Sequence, residues 1–151
     1  MIKATCELLR RLRQSDSPVI HHITNNVVMN DTANLTLAFN ASPIMSGSAE
    51  EAEDLGNIVG ALMLNFGTIN ENQFAAQMTA GKAANKNKRP IVFDPVGVGA
   101  TAFRRAKAAG LWPIRSSCEA CHADLTDRIA EFGTHVYSEG QRGRNWCPVR
   151  A

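Results

Sequence analysis

Short apolar runs alternate with longer stretches of helical spacing through the first two thirds of the chain. Over residues 4–14, Leu8, Leu9 and Leu12 fall on one side and Arg10, Arg11 and Arg13 elsewhere, which is the stripe of a surface helix, and Asp16, Ser17 and Pro18 end it. Residues 19–23 read as a strand, after which Asn25 or Asn26 caps a helix expected over about 27–39. Residues 42–45 form a short extended piece, and Ser48 with Glu51 three positions on spells a capping box that opens a helix over 49–55. A buried strand is expected over 60–66. Asn70 with Gln73 repeats the capping pattern for a helix reaching about Lys86, where Asn87, Lys88 and Arg89 precede Pro90. Residues 90–93 are β-branched and aromatic, as in a strand buried on both faces, and Asp94 stands where that strand leaves its sheet.

Strands alternating with helices of ten or more residues mean right-handed βαβ crossovers, hence an α/β fold with a mostly parallel sheet covered on both faces. That order holds to about Arg105, so residues 1–105 are expected to be one structural unit. Over 106–151 no clear buried strand is found, and Gly140 to Arg144 with Pro148 read as loop. Local signals disagree there, as in a poorly ordered tail or a segment that is not the natural continuation of the domain.

Chemistry concentrates in residues 90–101, PIVFDPVGVGAT. Ligands of open α/β sheets bind at the carboxyl ends of strands, where Asp94 is expected. Gly97 and Gly99 let backbone approach a ligand closely, and backbone N–H groups entering a helix near Thr101 make an anion site. Phosphate is the natural guest, with Asp94 free to hold a cation beside it. Glycine after a strand is also ordinary loop chemistry, so the other segments have to decide.

Composition narrows the partners. Sixteen Lys and Arg against fourteen Asp and Glu leave a net charge of +2, which gives no argument for nucleic acid or a membrane surface. No apolar stretch approaches the ~20 residues that span a bilayer, and residues 1–13 lack the apolar core of a secretory signal, so the cytoplasm is the expected compartment. The four cysteines are unevenly placed, three of them in the last third, and read as reduced thiols.

Three blocks, HHITNNVVMN at 21–30, ASPIM at 41–45 and DPVGVGAT at 94–101, together with LNFGT at 64–68 and AGKAAN at 80–85, resemble the hydroxyethylthiazole kinase family of thiamine biosynthesis in order and spacing. The resemblance covers roughly residues 15–105. It implies a ribokinase-like three-layer α/β/α fold, of which this chain carries the N-terminal half. It also implies transfer of the γ-phosphoryl group of ATP, with Mg2+, to the primary hydroxyl of 4-methyl-5-(2-hydroxyethyl)thiazole, by homotrimers with sites between subunits. By motif match, Met45 contacts the thiazole, Asn25 lines the same pocket, and Asp94 sits near the metal and phosphates. The segments that in this family carry a basic-Gly-Asn-x-x-Glu motif and the proposed catalytic base have no counterpart here. After Arg105 the resemblance stops abruptly, as a shifted reading frame, an unremoved intron or a truncated gene model would produce, and translation of the other two frames beyond Phe103 tests this. Impaired turnover is therefore expected, with a non-catalytic remnant that binds the thiazole or assembles with complete subunits as the alternative.

Each signal has a plainer explanation. Met45 could merely fill core, since methionine packs anywhere, but the neighbouring blocks favour the substrate role. His21 and His22 alternate on a strand, so one faces the interior with a hydrogen-bond partner and the other a pocket or solvent. Asn25, Asn26 and Asn30 can cap and turn, which is the preferred reading for Asn26, and Lys82 reads as a solvated helix residue. Cys118, Cys121 and His122 spell the C-x-x-C-H run of c-type haem attachment, but no methionine follows Met78 and no export signal is seen. A zinc site of Cys118, Cys121, His122 and either His135 or Cys147 has suitable ligand types in a spacing that fits no common finger.

Overall fold

The structure, a computed structural model, describes residues 2–111 and 114. Its elements run α1 Ile2–Arg13, β1 Val19–Ile23, α2 Met29–Ala38, β2 Ser42–Met45, α3 Ala52–Ile58, β3 Ala61–Asn65, α4 Glu71–Lys86, β4 Ile91–Asp94 and α5 Ala102–Leu111. The four strands form one wholly parallel sheet in the order β2-β1-β3-β4. This is the α/β architecture expected from the alternation, and Cys118, Cys121, His122, His135 and Cys147 lie outside the described residues.

The register sorts side chains by face. His21 stands beside Ile44 and Leu62, and Ile23 beside Leu64, while Leu62 and Leu64 meet Ile91 and Phe93. Ile23, Leu62, Leu64, Ile91 and Phe93 form the main core with Ala52 of α3, Ala76, Ala80 and Ala84 of α4, and Ala108 and Leu111 of α5. Small residues on α4 let it lie close to the sheet, and Phe66 meets Phe93 edge to face with centroids 5.0 Å apart. The opposite face carries His22, Met45, Met63 and Val92 in one row. There α2 packs on β2, and Thr36 of α2 bonds His22 Nε2 at 3.2 Å. Helices thus cover both faces, which makes three layers.

Several ends follow local chemistry. Asn70 accepts the amide of Gln73 and caps α4 as the sequence pattern implied. Both α2 and α4 close with a left-handed residue, Asn40 at φ 65° and Lys88 at φ 53°. In each, the next amide reaches back to the helix, Ala41 to Thr36 and Arg89 to Ala84, which satisfies carbonyls the helix leaves open.

Four expectations are corrected. The capping box at Ser48 does not form: α3 begins at Ala52, its cap residue Glu51 makes no side-chain capping bond, and Ser46 and Ser48 donate their hydroxyls to Glu51 and Glu50. Strand β4 is not buried on both faces, because among the described residues it is an edge strand and Val92 is 47% exposed. Neither histidine faces solvent; His21 bonds the Ser46 carbonyl at 2.9 Å, and His22 is covered by α2. The turn before α2 is bonded by Asn25, not Asn26, with Asn25 Oδ1 accepting from the amides of Val27 and Val28.

Candidate functional site

All four strands are parallel, so their carboxyl ends lie along one edge of the sheet. Strand order reverses direction at β1, whose successor β2 lies to one side while β3 and β4 lie to the other. In open α/β sheets ligands bind at such a switch point, which here falls outside the ends of β1 and β3. Met45 ends β2, Asn25 follows β1, Asn65 ends β3 and Asp94 ends β4, so each strand delivers one candidate residue to this edge.

Three of the four are joined. Asn25 Nδ2 donates to Asn65 Oδ1 at 2.9 Å, and Asn65 Nδ2 donates to Asp94 Oδ2 at 2.7 Å. Asn65 Oδ1 also accepts the Gly67 amide at 2.7 Å. The amide orientations are mutually consistent, because Asn25 Oδ1 is occupied by two backbone donors and a carboxylate can only accept. From α4, Gln77 Nε2 donates to the Asn65 carbonyl and Gln73 Nε2 to that of Thr24, which anchors the ends of β3 and β1. Asn25 and Asn65 are buried, whereas Asp94 is exposed, so the line runs from the interior to an accessible carboxylate. Met45 is half-buried, in register with His22 on the far side of β1, and takes no part in the line.

The bend after Asp94 is built around Gly97, at φ 71°, a conformation glycine adopts without strain. Within it the Val98 amide donates to the Pro95 carbonyl and the Ala100 amide to that of Gly97. Thr101 Oγ1 accepts the Arg104 amide at 3.1 Å and caps α5. The Arg104 guanidinium bonds the carbonyls of Phe66, Gly67 and Val96, tying this bend to the loop after β3, and Arg105 bonds the Gly99 carbonyl at 3.0 Å.

A family model described as the Hydroxyethylthiazole kinase family matches residues 9–118. The chain belongs to the hydroxyethylthiazole kinase family. Hydroxyethylthiazole kinase of Thermoanaerobacter sp. (strain X514) is 50% identical over 98 residues, which cover 65% of this chain and 37% of that protein. That of Shouchella clausii (strain KSM-K16) is 52% identical over 93 residues, 62% of this chain and 36% of the relative. The match to each spans little more than a third of the relative's length. A solved structure of hydroxyethylthiazole kinase protein from Pyrococcus horikoshii OT3 superposes with a TM-score of 0.72 at 33% identity, covering 86% of this chain and 57% of that one. The fold of this hydroxyethylthiazole kinase family member is accordingly ribokinase-like.

Among the described residues no group of three or more His, Cys, Asp or Glu is placed to hold a metal, and no helix is long and apolar enough to cross a membrane. Asp94 is one accessible carboxylate beside a glycine bend. That fits Mg2+, which is commonly held by one or two carboxylates together with substrate phosphates and water. Asn65, Gln77 and Arg104 were not singled out as site residues from the sequence. Asn65 had a usable signal, since it ends the apolar strand ALMLN as Asp94 ends IVFD.

Proposed function

We propose that this chain binds 4-methyl-5-(2-hydroxyethyl)thiazole and serves its ATP-dependent phosphorylation in thiamine biosynthesis. The observation that carries the reading is the hydrogen-bonded line Asn25–Asn65–Asp94 at the sheet's switch point, in a member of this family. Met45 supplies a polarizable apolar contact for the thiazole ring, and Asn25 lines the same pocket. Asp94 holds Mg2+, and backbone N–H groups over Gly97, Gly99 and Thr101 receive phosphate oxygens at the start of α5. Because Thr101 Oγ1 is engaged as a cap, its remaining contribution to an anion is its O–H as donor.

ATP with Mg2+ supplies the phosphoryl group and neutralises its charge. The chain's own task is positioning, the principal demand of this chemistry. Asn65 keeps Asn25 and Asp94 at a fixed separation, and Arg104 holds the bend against the loop after β3. The family's base lies in a segment without a counterpart in this sequence, so no described residue is assigned that role. Exposed apolar side chains on and just after α2, Leu35, Leu37 and Phe39, support assembly with further copies or with complete subunits. The cytoplasm is the compartment this metabolic role implies.

The test is calorimetric binding of the thiazole alcohol beside a phosphorylation assay with ATP and Mg2+. Turnover abolished by Asp94→Ala supports the kinase reading in full. Binding without turnover supports the non-catalytic alternative. Absence of both overturns the proposal.

A further inference from the structure

We propose that Asn65 is a positioning residue that couples the binding of the thiazole alcohol to the binding of the divalent cation; the inference rests on the site reading above. Asn65 is buried at 7% exposure between a pocket residue on one side and the accessible acid on the other. Its two amide atoms are used differently: Oδ1 holds Asn25 Nδ2 and the Gly67 amide, and Nδ2 holds Asp94 Oδ2.

That division cannot be reversed at low cost. Turning the amide over would set Nδ2 against two donors and Oδ1 against a carboxylate, leaving the buried Asn25 amide, the half-buried Gly67 N–H and the Asp94 carboxylate mispaired. Asn25 has no freedom to compensate, since its Oδ1 is committed to Val27 and Val28 and its side chain lies against Gly67. The Asn65 backbone is held as well, through the Gln77 side chain on its carbonyl. A cation that immobilises Asp94 therefore immobilises Asn65 Nδ2, and with it the face that Asn25 presents to the alcohol. The first ligand to bind sets the geometry that this stiff line passes to the second site, so the coupling is reciprocal.

The experiment is a pair of titrations on the 151-residue chain: thiazole alcohol by calorimetry with and without Mn2+, and Mn2+ by its electron paramagnetic resonance signal with and without the alcohol. Each ligand is expected to tighten the other by the same factor, at least about fivefold, the lower end of common coupling. In Asn65→Leu the factor falls to one. Asn65→Asp keeps an acceptor for Asn25 and Gly67 and sets a second carboxyl against Asp94; at a pH high enough that the two share no proton Asp94 has no donor, so the variant retains alcohol binding while losing the factor, a separation that a merely structural role would not produce. It also serves if the leucine variant fails to fold by circular dichroism. A parent chain that binds the alcohol without any effect of Mn2+, or a folded variant with the parent's factor, overturns this inference alone. A parent chain that binds no alcohol under any condition overturns the site reading and this inference together.

Discussion

Gly67 lies against Asn25 so closely that a methyl group on it would stand 2.6 Å from Asn25 Cβ and 2.7 Å from its Cγ and Nδ2. Asn25 cannot retreat, being bonded to Val27, Val28 and Asn65 at once. Gly67→Ala should therefore cost roughly 1–3 kcal/mol, the usual range for overpacking, and displace Asn25. Urea denaturation reads the first effect and alcohol calorimetry the second. An alanine variant with parental stability and affinity would show that the approach is slack.

Arg104 bonds the carbonyls of Phe66, Gly67 and Val96 with one planar group. Lysine keeps the charge but cannot span three acceptors in two loops. Arg104→Lys is expected to lower stability by about 2 kcal/mol, the scale of losing a charge-assisted hydrogen bond, with most of the loss in the bend after β4. Hydrogen exchange of the Val98 and Ala100 amides should accelerate before that of the sheet. Uniform acceleration across the sheet would contradict a local clamp.

Acid should weaken the fold through the two strand histidines. Burial pushes His21 below the ordinary imidazole value, opposed by its bond to the Ser46 carbonyl and by Glu51, and burial also lowers His22, assisted by the neighbouring His21. His22 Nδ1 is buried without a partner among the described residues, so a proton there would bury a further unpaired donor. In the unfolded chain both titrate near about 6.5, and below that value the unfolded state binds more protons than the folded one. Stability is thus fully present above that range and lost as pH falls through it. The urea midpoint should fall on acidification from about pH 7.5 to about 5.5, and less so in His22→Gln. A midpoint that rises over the same range would refute the assignment.

Two helix starts rest on a single side-chain acceptor each, Asn70 for α4 and Thr101 for α5. Asn70→Ala and Thr101→Ala should each cost about 1 kcal/mol, and Thr101→Ser should recover most of its loss. Thermal melts of the three variants check this. Failure of serine to rescue would mean that Thr101 contributes through its methyl group instead.

The helix–strand alternation, the parallel sheet and the Asn70 cap were legible in the sequence because each depends on residues a few positions apart. Periodicity decides which face of an element is apolar, and a cap acts within one turn. The Ser48 pattern misled because Ser48 gives its hydroxyl to Glu50 while Glu51 takes that of Ser46, pairings settled by loop geometry. Asn25, Met45 and Asp94 were legible as candidates, and each does end or follow a strand at one sheet edge. Asn65 was hidden as a partner because Asn25 lies 40 residues before it and Asp94 29 residues after it. Sequence by itself determined which residues stand at strand ends; strand order, β2-β1-β3-β4, decided which of those ends became neighbours. The physical reason is that ladder bonding and helix periodicity are local, whereas convergence of side chains follows from how the crossovers wind.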